Sequence, residues 1–334
     1  MQALRLRIAI HSRVIRTTIT LAFMMLNVQI ELQAAEYPNR PLRFISGFAA
    51  GGGIDATARP IALKLSEIFN HPVIIDNRPG GGGNIASEIT ARAEPDGYTF
   101  LIIAPAFVIN FGLHEKLPFE LERDFIAVTQ LVDSMNVLSI HPSVTANNVN
   151  ELIALSKNKS LSFGSSGVGT VGHLAGELFN LMAGTHIVHI PYKGGGPVMI
   201  DLVSGQIQMV FASAGSVMPQ IRSDKIKAIA VTSINRSPLM PNTPTLSESG
   251  LKGYEAKNWY GLIAPAKTPK SIINVINRQI VKILNLAEIK KVFSTQGLNS
   301  SPTTSEEFNL YLRSEKEKWK NVIKVSGTKN DGVF

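Results

Sequence analysis

The sequence predicts an α/β protein of two domains, built on open, mostly parallel sheets with helices on both faces. Three observations predict it. The chain has 334 residues, and a domain usually takes about 150. Hydrophobic residues make up 44% of it and charged residues 17%, a balance that excludes a disordered chain. From residue 41 onward, short apolar runs alternate with stretches of helical period, the rhythm of parallel strands joined by helices.

Residues 41–47 read as a strand, and 57–69 as a helix with Ala58, Ile61, Leu65 and Ile68 on one face. A proline deep in a helix costs about 3 kcal/mol, so the start is set near Thr57, with Pro60 in the first turn. Residues 73–76 read as a short strand and 84–93 as a helix. Residues 98–104 form an apolar run of the kind buried on both faces. Two separate strands follow, at 126–131 and 136–140. The second set of units has strands at 161–164, 187–190, 208–211 and 227–232 and helices at 170–183, 197–203 and 216–222. A strand at 259–264 precedes a helix with Thr268 as cap and Pro269 as its first residue. The final helix spans 305–325, with Phe308, Leu312, Trp319 and Val322 in its buried stripe and Glu315 breaking it once.

The first 35 residues have the three parts of a secretory signal peptide: Arg5, Arg7, Arg13 and Arg16, an apolar core at 19–26, and small residues ending at Ala34 and Ala35. The competing reading is an uncleaved anchor, although the run is short for a bilayer. Removing residues 1–35 takes away four Arg and one acid, Glu31, so the net charge of +8 becomes milder. No cluster of Lys and Arg is interleaved with aromatics, so a nucleic-acid partner is not expected. There is no Cys, which excludes disulfides, thiolate metal sites and Cys nucleophiles. Secretion without disulfides suits the periplasm.

Two Gly-rich turns lie between a strand and a helix. The first runs Phe48, Ala49, Ala50, Gly51, Gly52, Gly53, Ile54, Asp55. The second runs Gly164, Ser165, Ser166, Gly167, Val168, Gly169, Thr170. Such turns expose N–H groups at the positive end of a helix and bind anions; the plainer reading is that the glycines only make tight turns. A third turn, Tyr192 to Pro197, carries Lys193, which could meet a carboxylate or lie in solvent. In a fourth, Arg78 is expected to pair with Asp76.

Nucleotide and enzyme readings fail on detail. Neither turn is a P-loop. Residues 167–172 match G-x-G-x-x-G, but the next strand runs into Pro191, Tyr192 and Lys193 without the acid that would hold a ribose. No cofactor is expected. Ser165 and Ser166 do not form G-x-S-x-G. His173 lies one turn into the next helix, so a secreted hydrolase using Ser165 or Ser166 stays as the alternative, without a third residue to complete it. His186 and His189 lack the further ligands that zinc needs, and no metal is expected.

The motifs fall in a familiar order. Tyr37-Pro38 and Arg40-Pro41, the first turn, Asn77-Arg78-Pro79-Gly80 with Asn84, Pro95-Asp96-Gly97-Tyr98, the second turn with His173 to Glu177, Pro191-Tyr192-Lys193-Gly194 and Trp259 to Pro265 occur in sequence. Together they resemble the Bug family, the substrate-binding receptors of tripartite tricarboxylate transporters, from about Tyr37 to Gly327. The resemblance implies a periplasmic receptor of the two-domain, Venus-flytrap type, type II-like, that is not an enzyme. It implies a small carboxylate as ligand, integral-membrane transporter subunits as partners and a monomer. The chain would cross between domains near 132–135 and 254–258, giving a first domain of 36–133 with 258–334 and a second of 134–257. The candidate ligand-binding residues are Ala50, Gly51, Gly52, Gly53, Asp55, Ser165, Ser166, Gly167, Thr170, His173, Lys193, Ala212 and Ser213. Asp55 stands at a helix start, where capping is the competing role. Ala50, Ile54, Ala212 and Ser213 depart from the residues common in the family, so ligand identity does not transfer.

Overall fold

The computed structural model describes residues 37–48, 50, 53–192 and 194–329. The expected signal peptide, Gly51, Gly52 and Lys193 lie outside the described residues. Contacts divide the chain into Met1–Pro41 and Leu42–Phe334. In the first unit the described residues contain a cis Tyr37–Pro38 peptide. The second holds all the helices and strands of the described residues.

Its elements, in order, are Leu42–Ser46 (β1), Gly53–Phe69 (α1), Val73–Asn77 (β2), Asn84–Ala91 (α2), Thr99–Ile103 (β3), Pro105–Leu113 (α3), Leu121–Asp124 (α4), Phe125–Ile140 (β4), Val149–Asn158 (α5), Ser162–Ser165 (β5), Val171–Ala183 (α6), Val188–Pro191 (β6), Gly195–Ser204 (α7), Met209–Ser213 (β7), Ala214–Arg222 (α8), Lys227–Val231 (β8), Lys257–Pro265 (β9), Lys270–Asn285 (α9), Ala287–Thr295 (α10), Asn299–Ser300 (β10) and Ser305–Ser326 (α11).

The α/β alternation holds, and the strands sort into two parallel trios. One is β2-β1-β3 and the other is β6-β5-β7. Between them run β4 and β9, antiparallel to each other and to their neighbours. Within β4, the stretch from Phe125 to Met135 pairs with β9, and the stretch from Asn136 to Ile140 lies between β7 and β8. The two strands expected at 126–131 and 136–140 are therefore one. The polar pair Asp133-Ser134 interrupts the apolar run, but both residues serve the pairing. Ser134 is buried, and Asp133 accepts a hydrogen bond from Asn299 Nδ2 at 3.3 Å.

Helix α1 begins four residues before the expected start, at Gly53, and carries Pro60 in its interior. The carbonyl of Ala56 thereby loses its ring-closing donor. The gain is a helix start that reaches the C-terminal end of β1. Thr268 does not cap α9: Pro269 stands at the cap, and the Thr268 hydroxyl is buried without a hydrogen-bond partner among the described residues. Helix α11 opens with a capping box in which Thr304 and Glu307 bond each other's backbone N–H.

The core joins both trios. Phe107, Phe119 and Phe125 pack with ring centroids 5.3–6.2 Å apart and fix α3 against the sheet. Helix α11 packs on α3, on α6 and on β4. Glu315, which seemed to break its stripe, is 3% exposed. Its carboxylate accepts the indole N–H groups of Trp259 (3.3 Å) and Trp319 (3.0 Å) and pairs with Lys318. A buried carboxylate persists only when it is held in this way.

Candidate functional site

Strands of both trios deliver helix starts to one place. After β1, β3, β5, β6 and β7, the starts of α1, α3, α6, α7 and α8 reach a cavity of about 350 Å³, lined among others by Gly53, Pro105, Val171, Gly195 and Ser213. The first N–H groups of a helix have no partner inside it, and the aligned peptide dipoles favour negative charge there. The N–H groups of Val171 and Gly172 are of this kind, and both residues line the cavity. Pro105 contributes a dipole end without a donor.

The turn between β5 and α6 is bonded internally. Gly167 and Gly169 have φ of 141° and 76°, a region open chiefly to glycine. The Thr170 hydroxyl donates to the Gly167 carbonyl at 2.7 Å and accepts the His173 N–H at 3.4 Å, so Thr170 is the N-cap of α6. Ser165 Oγ lies 2.6 Å from His189 Nε2 and 3.0 Å from the Gly167 carbonyl, and accepts the Gly167 N–H at 3.2 Å. The Gly169 N–H donates to His173 Nδ1 at 3.1 Å, which leaves the Nε2 of His173 toward Glu177, 3.7 Å away. The rings of His173 and His189 stack at 3.7 Å. Burial, and then the neighbouring His173, push His189 from 6.5 down to about 3, so it is neutral at physiological pH.

At the end of β1, Ser46 Oγ accepts the Phe48 N–H and lies 3.4 Å from the Phe48 carbonyl. Asn77 Nδ2 donates to the Phe48 carbonyl at 2.9 Å. A Cβ on Gly53 would lie 2.3 Å from the hydroxyl oxygen of Tyr260, so the phenol of β9 occupies the space that a side chain would take. Burial raises the Tyr260 phenol above its usual pKa, while a hydrogen bond with Asn258 works against that shift.

Among the described lining residues there is no Asp, Glu, Lys, Arg or His. The polar groups are hydroxyls, the amides of Asn136 and Asn258, and backbone. Of the expected residues, Gly53, Ser165, Ser166, Thr170, Ala212 and Ser213 line the cavity. Ala50 is exposed and not part of its wall. Asp55 is not among the described lining residues: it is 5% exposed and accepts hydrogen bonds from Nε and Nη2 of Arg59, at 2.6 and 3.0 Å. Gly167 and His173 lie behind the lining and shape the turn. The hydroxyl protons of Ser165 and Thr170, expected to meet a ligand, are used within the turn. Arg78 pairs with Asp76 at 2.9 Å, as expected. The expected ligand-binding residues did not include Asn136, Tyr260 or the start of α3. A buried Asn inside an apolar strand was the one available signal. No group of His, Asp and Glu suited to a metal occurs among the described residues, and none of their helices is long and apolar enough to cross a membrane.

Two parallel trios joined by shared antiparallel strands, with helix starts converging on a neutral cavity, define a solute-binding protein of the periplasmic binding class. Solved structures agree. That of R. palustris Rpa4515 with adipate matches with a TM-score of 0.75 at 30% identity, covering 88% of this chain and 99% of that one. That of MatC from Rhodopseudomonas palustris with bound malate matches with a TM-score of 0.72 at 25% identity, covering 86% and 100%. The protein BugT of Bordetella pertussis is 32% identical over 302 residues, 89% of this chain and 93% of its own. The family model of the tripartite tricarboxylate transporter family receptors matches residues 57–328, and the chain belongs to that family. Its members are solute-binding proteins.

Proposed function

We propose that this chain is a periplasmic receptor that captures a small carboxylate between two domains and delivers it to the membrane subunits of a tripartite transporter. The convergence of helix starts on a cavity whose described lining is uncharged carries this reading. An anion is stabilised there by oriented N–H groups. An ammonium group would find no carboxylate among the described lining residues, and an unpaired buried charge is costly. The reading is therefore a mono- or dicarboxylate in preference to an amino acid. Adipate and malate in the two Rhodopseudomonas proteins support it.

Residues 36–133 with 258–334 form one domain and 134–257 the other, with β4 and β9 as the two crossings. Closure about those strands would enclose the ligand. The receptor acts as a monomer, without a cofactor, after export and removal of residues 1–35. The hydrolase alternative is not favoured. Ser165 touches a histidine, but it is 3% exposed and bonded within its turn, and among the described residues of the cavity wall the serine–histidine hydrogen bond is that of Ser165 with His189 and not one of Ser166. The test is a thermal-shift and calorimetric screen of the mature protein against small organic acids. A ligand at 100 times its Kd raises stability by about 2.7 kcal/mol. Binding of aspartate or glutamate alone overturns the preference for simple acids, and turnover of a bound ester overturns the receptor reading.

A further inference from the structure

A second cavity, of about 550 Å³, adjoins the first and shares Phe48, Ala106, Ser166 and Thr170 with it. Its remaining wall is formed by the glycine turn before α2 and by Leu113, Val168 and the last turn of α3. Among its described residues, the only polar side chains are at one edge, Asn110 and His114. There Asn110, 6% exposed, donates through Nδ2 to the Gly82 carbonyl at 3.2 Å and to Asn84 Oδ1 at 2.8 Å. Gly82 presents a carbonyl, which can only accept, so the Asn110 amide can be oriented in one way only. Both of its N–H bonds are then used, and Oδ1 has no hydrogen-bond partner among the described residues. The next group along, His114 Nε2, faces the Asn84 Nδ2 at 3.3 Å, so it accepts as well. No Lys or Arg is among the described residues of this wall.

The first cavity therefore offers helix N–H groups, and the second offers the Asn110 oxygen as a side-chain acceptor. We propose that the ligand is an elongated monocarboxylate with an apolar body and a hydrogen-bond donor, such as a hydroxyl, at its far end. The carboxylate lies at the helix starts, the body passes Phe48 and Ala106 into the second cavity, and the far hydroxyl donates to Asn110 Oδ1. A second carboxylate at the far end would place an acceptor-only anion against a carbonyl oxygen, which is unfavourable. This specificity rests on the carboxylate-receptor reading and narrows it.

The experiment is calorimetry with three acids that differ at one position: 3-(4-hydroxyphenyl)propanoate, 3-phenylpropanoate and 3-(4-carboxyphenyl)propanoate, with succinate as a short reference. A neutral hydrogen bond gained in a closed site is worth about fivefold in affinity. The expected order is hydroxy acid, then parent about fivefold weaker, then the diacid weakest. In Asn110→Leu, which folds only if the glycine turn tolerates losing two bonds, the preference for the hydroxy acid over its parent falls to about one. If that variant fails to fold, the wild-type ranking alone decides. A diacid that binds as well as the hydroxy acid overturns the proposal, as does binding of succinate without any aryl acid; both leave the receptor reading standing. Binding of none of the four overturns the proposal and leaves the receptor reading to the wider screen of organic acids.

Discussion

On the α1 side of the cavity, a glycine is kept bare by the tip of a side chain; on the α6 side, the glycine is kept bare by main chain. A Cβ on Gly53 meets the Tyr260 hydroxyl at 2.3 Å, whereas a Cβ on Gly172 meets the Phe211 carbonyl oxygen at 2.7 Å. A phenol can swing aside within its strand, but a carbonyl bound into β7 cannot. The α6 turn is tied by Thr170, Ser165, His173 and His189, all from its own trio. Near the α1 turn, Ser46 and Asn77 of its own trio bond Phe48, and Tyr260 of β9 lies against Gly53. The α6 wall is thus part of the architecture, and the α1 wall is adjustable where it meets the ligand.

Substitutions can break or sharpen this contrast. The largest effect is expected for Gly172→Ala. Overpacking costs about 1–3 kcal/mol, which outweighs the gain of up to about 1 kcal/mol from better helix propensity. Chemical denaturation should show lower stability before any ligand is added. Unchanged stability would mean that α6 and β7 can separate, and that the two walls are alike. Gly53→Ala should do the reverse. It displaces Tyr260 from the cavity, lowers carboxylate affinity about tenfold, or about 1.4 kcal/mol, and leaves stability close to wild type. Adding Tyr260→Phe to it removes the atom in the way, so the two substitutions should be non-additive in a double-mutant cycle.

Thr170→Ala tests the internal fastening. Loss of an N-cap costs about 1 kcal/mol, and Thr170→Ser should restore most of it. If Thr170→Ala instead weakens binding with stability intact, its hydroxyl belongs to the ligand and not to the turn. The last effect is a pH dependence with one source on the α6 side, small near neutral pH. His189 is held at about 3 in the fold and returns to about 6.5 when the chain unfolds. Between those values the unfolded chain binds a proton that the folded one does not, so stability falls as pH is lowered through that window. His189→Gln should flatten this part of the curve. A curve identical to wild type would remove the histidine from the account.

The alternation of strand and helix was legible because parallel strands buried on both faces are apolar runs and the surface helices keep a clear period. Helix α3 was not legible, since Pro105–Leu113 is apolar nearly all round and offers no period to read. Helices α5 and α10 were passed over as well, and β4 was cut in two by Asp133 and Ser134. In the site, the glycine turns stood out because their composition is extreme. Tyr260 did not, because its role depends on a strand far along the chain being laid beside α1. Glu315 looked like a fault in a stripe, because nothing local shows that two indoles converge on it.

The uncharged lining has a consequence for protons. Tyr260 is the only titratable side chain among the described residues of the first cavity, and its raised pKa keeps the phenol protonated at neutral pH. A carboxylate that arrives ionised is then bound without any group in that wall gaining or losing a proton. Its heat of binding at pH 7.5 should be the same in phosphate and in Tris, whose ionisation enthalpies differ widely. The anion released is the same ionic species that was captured.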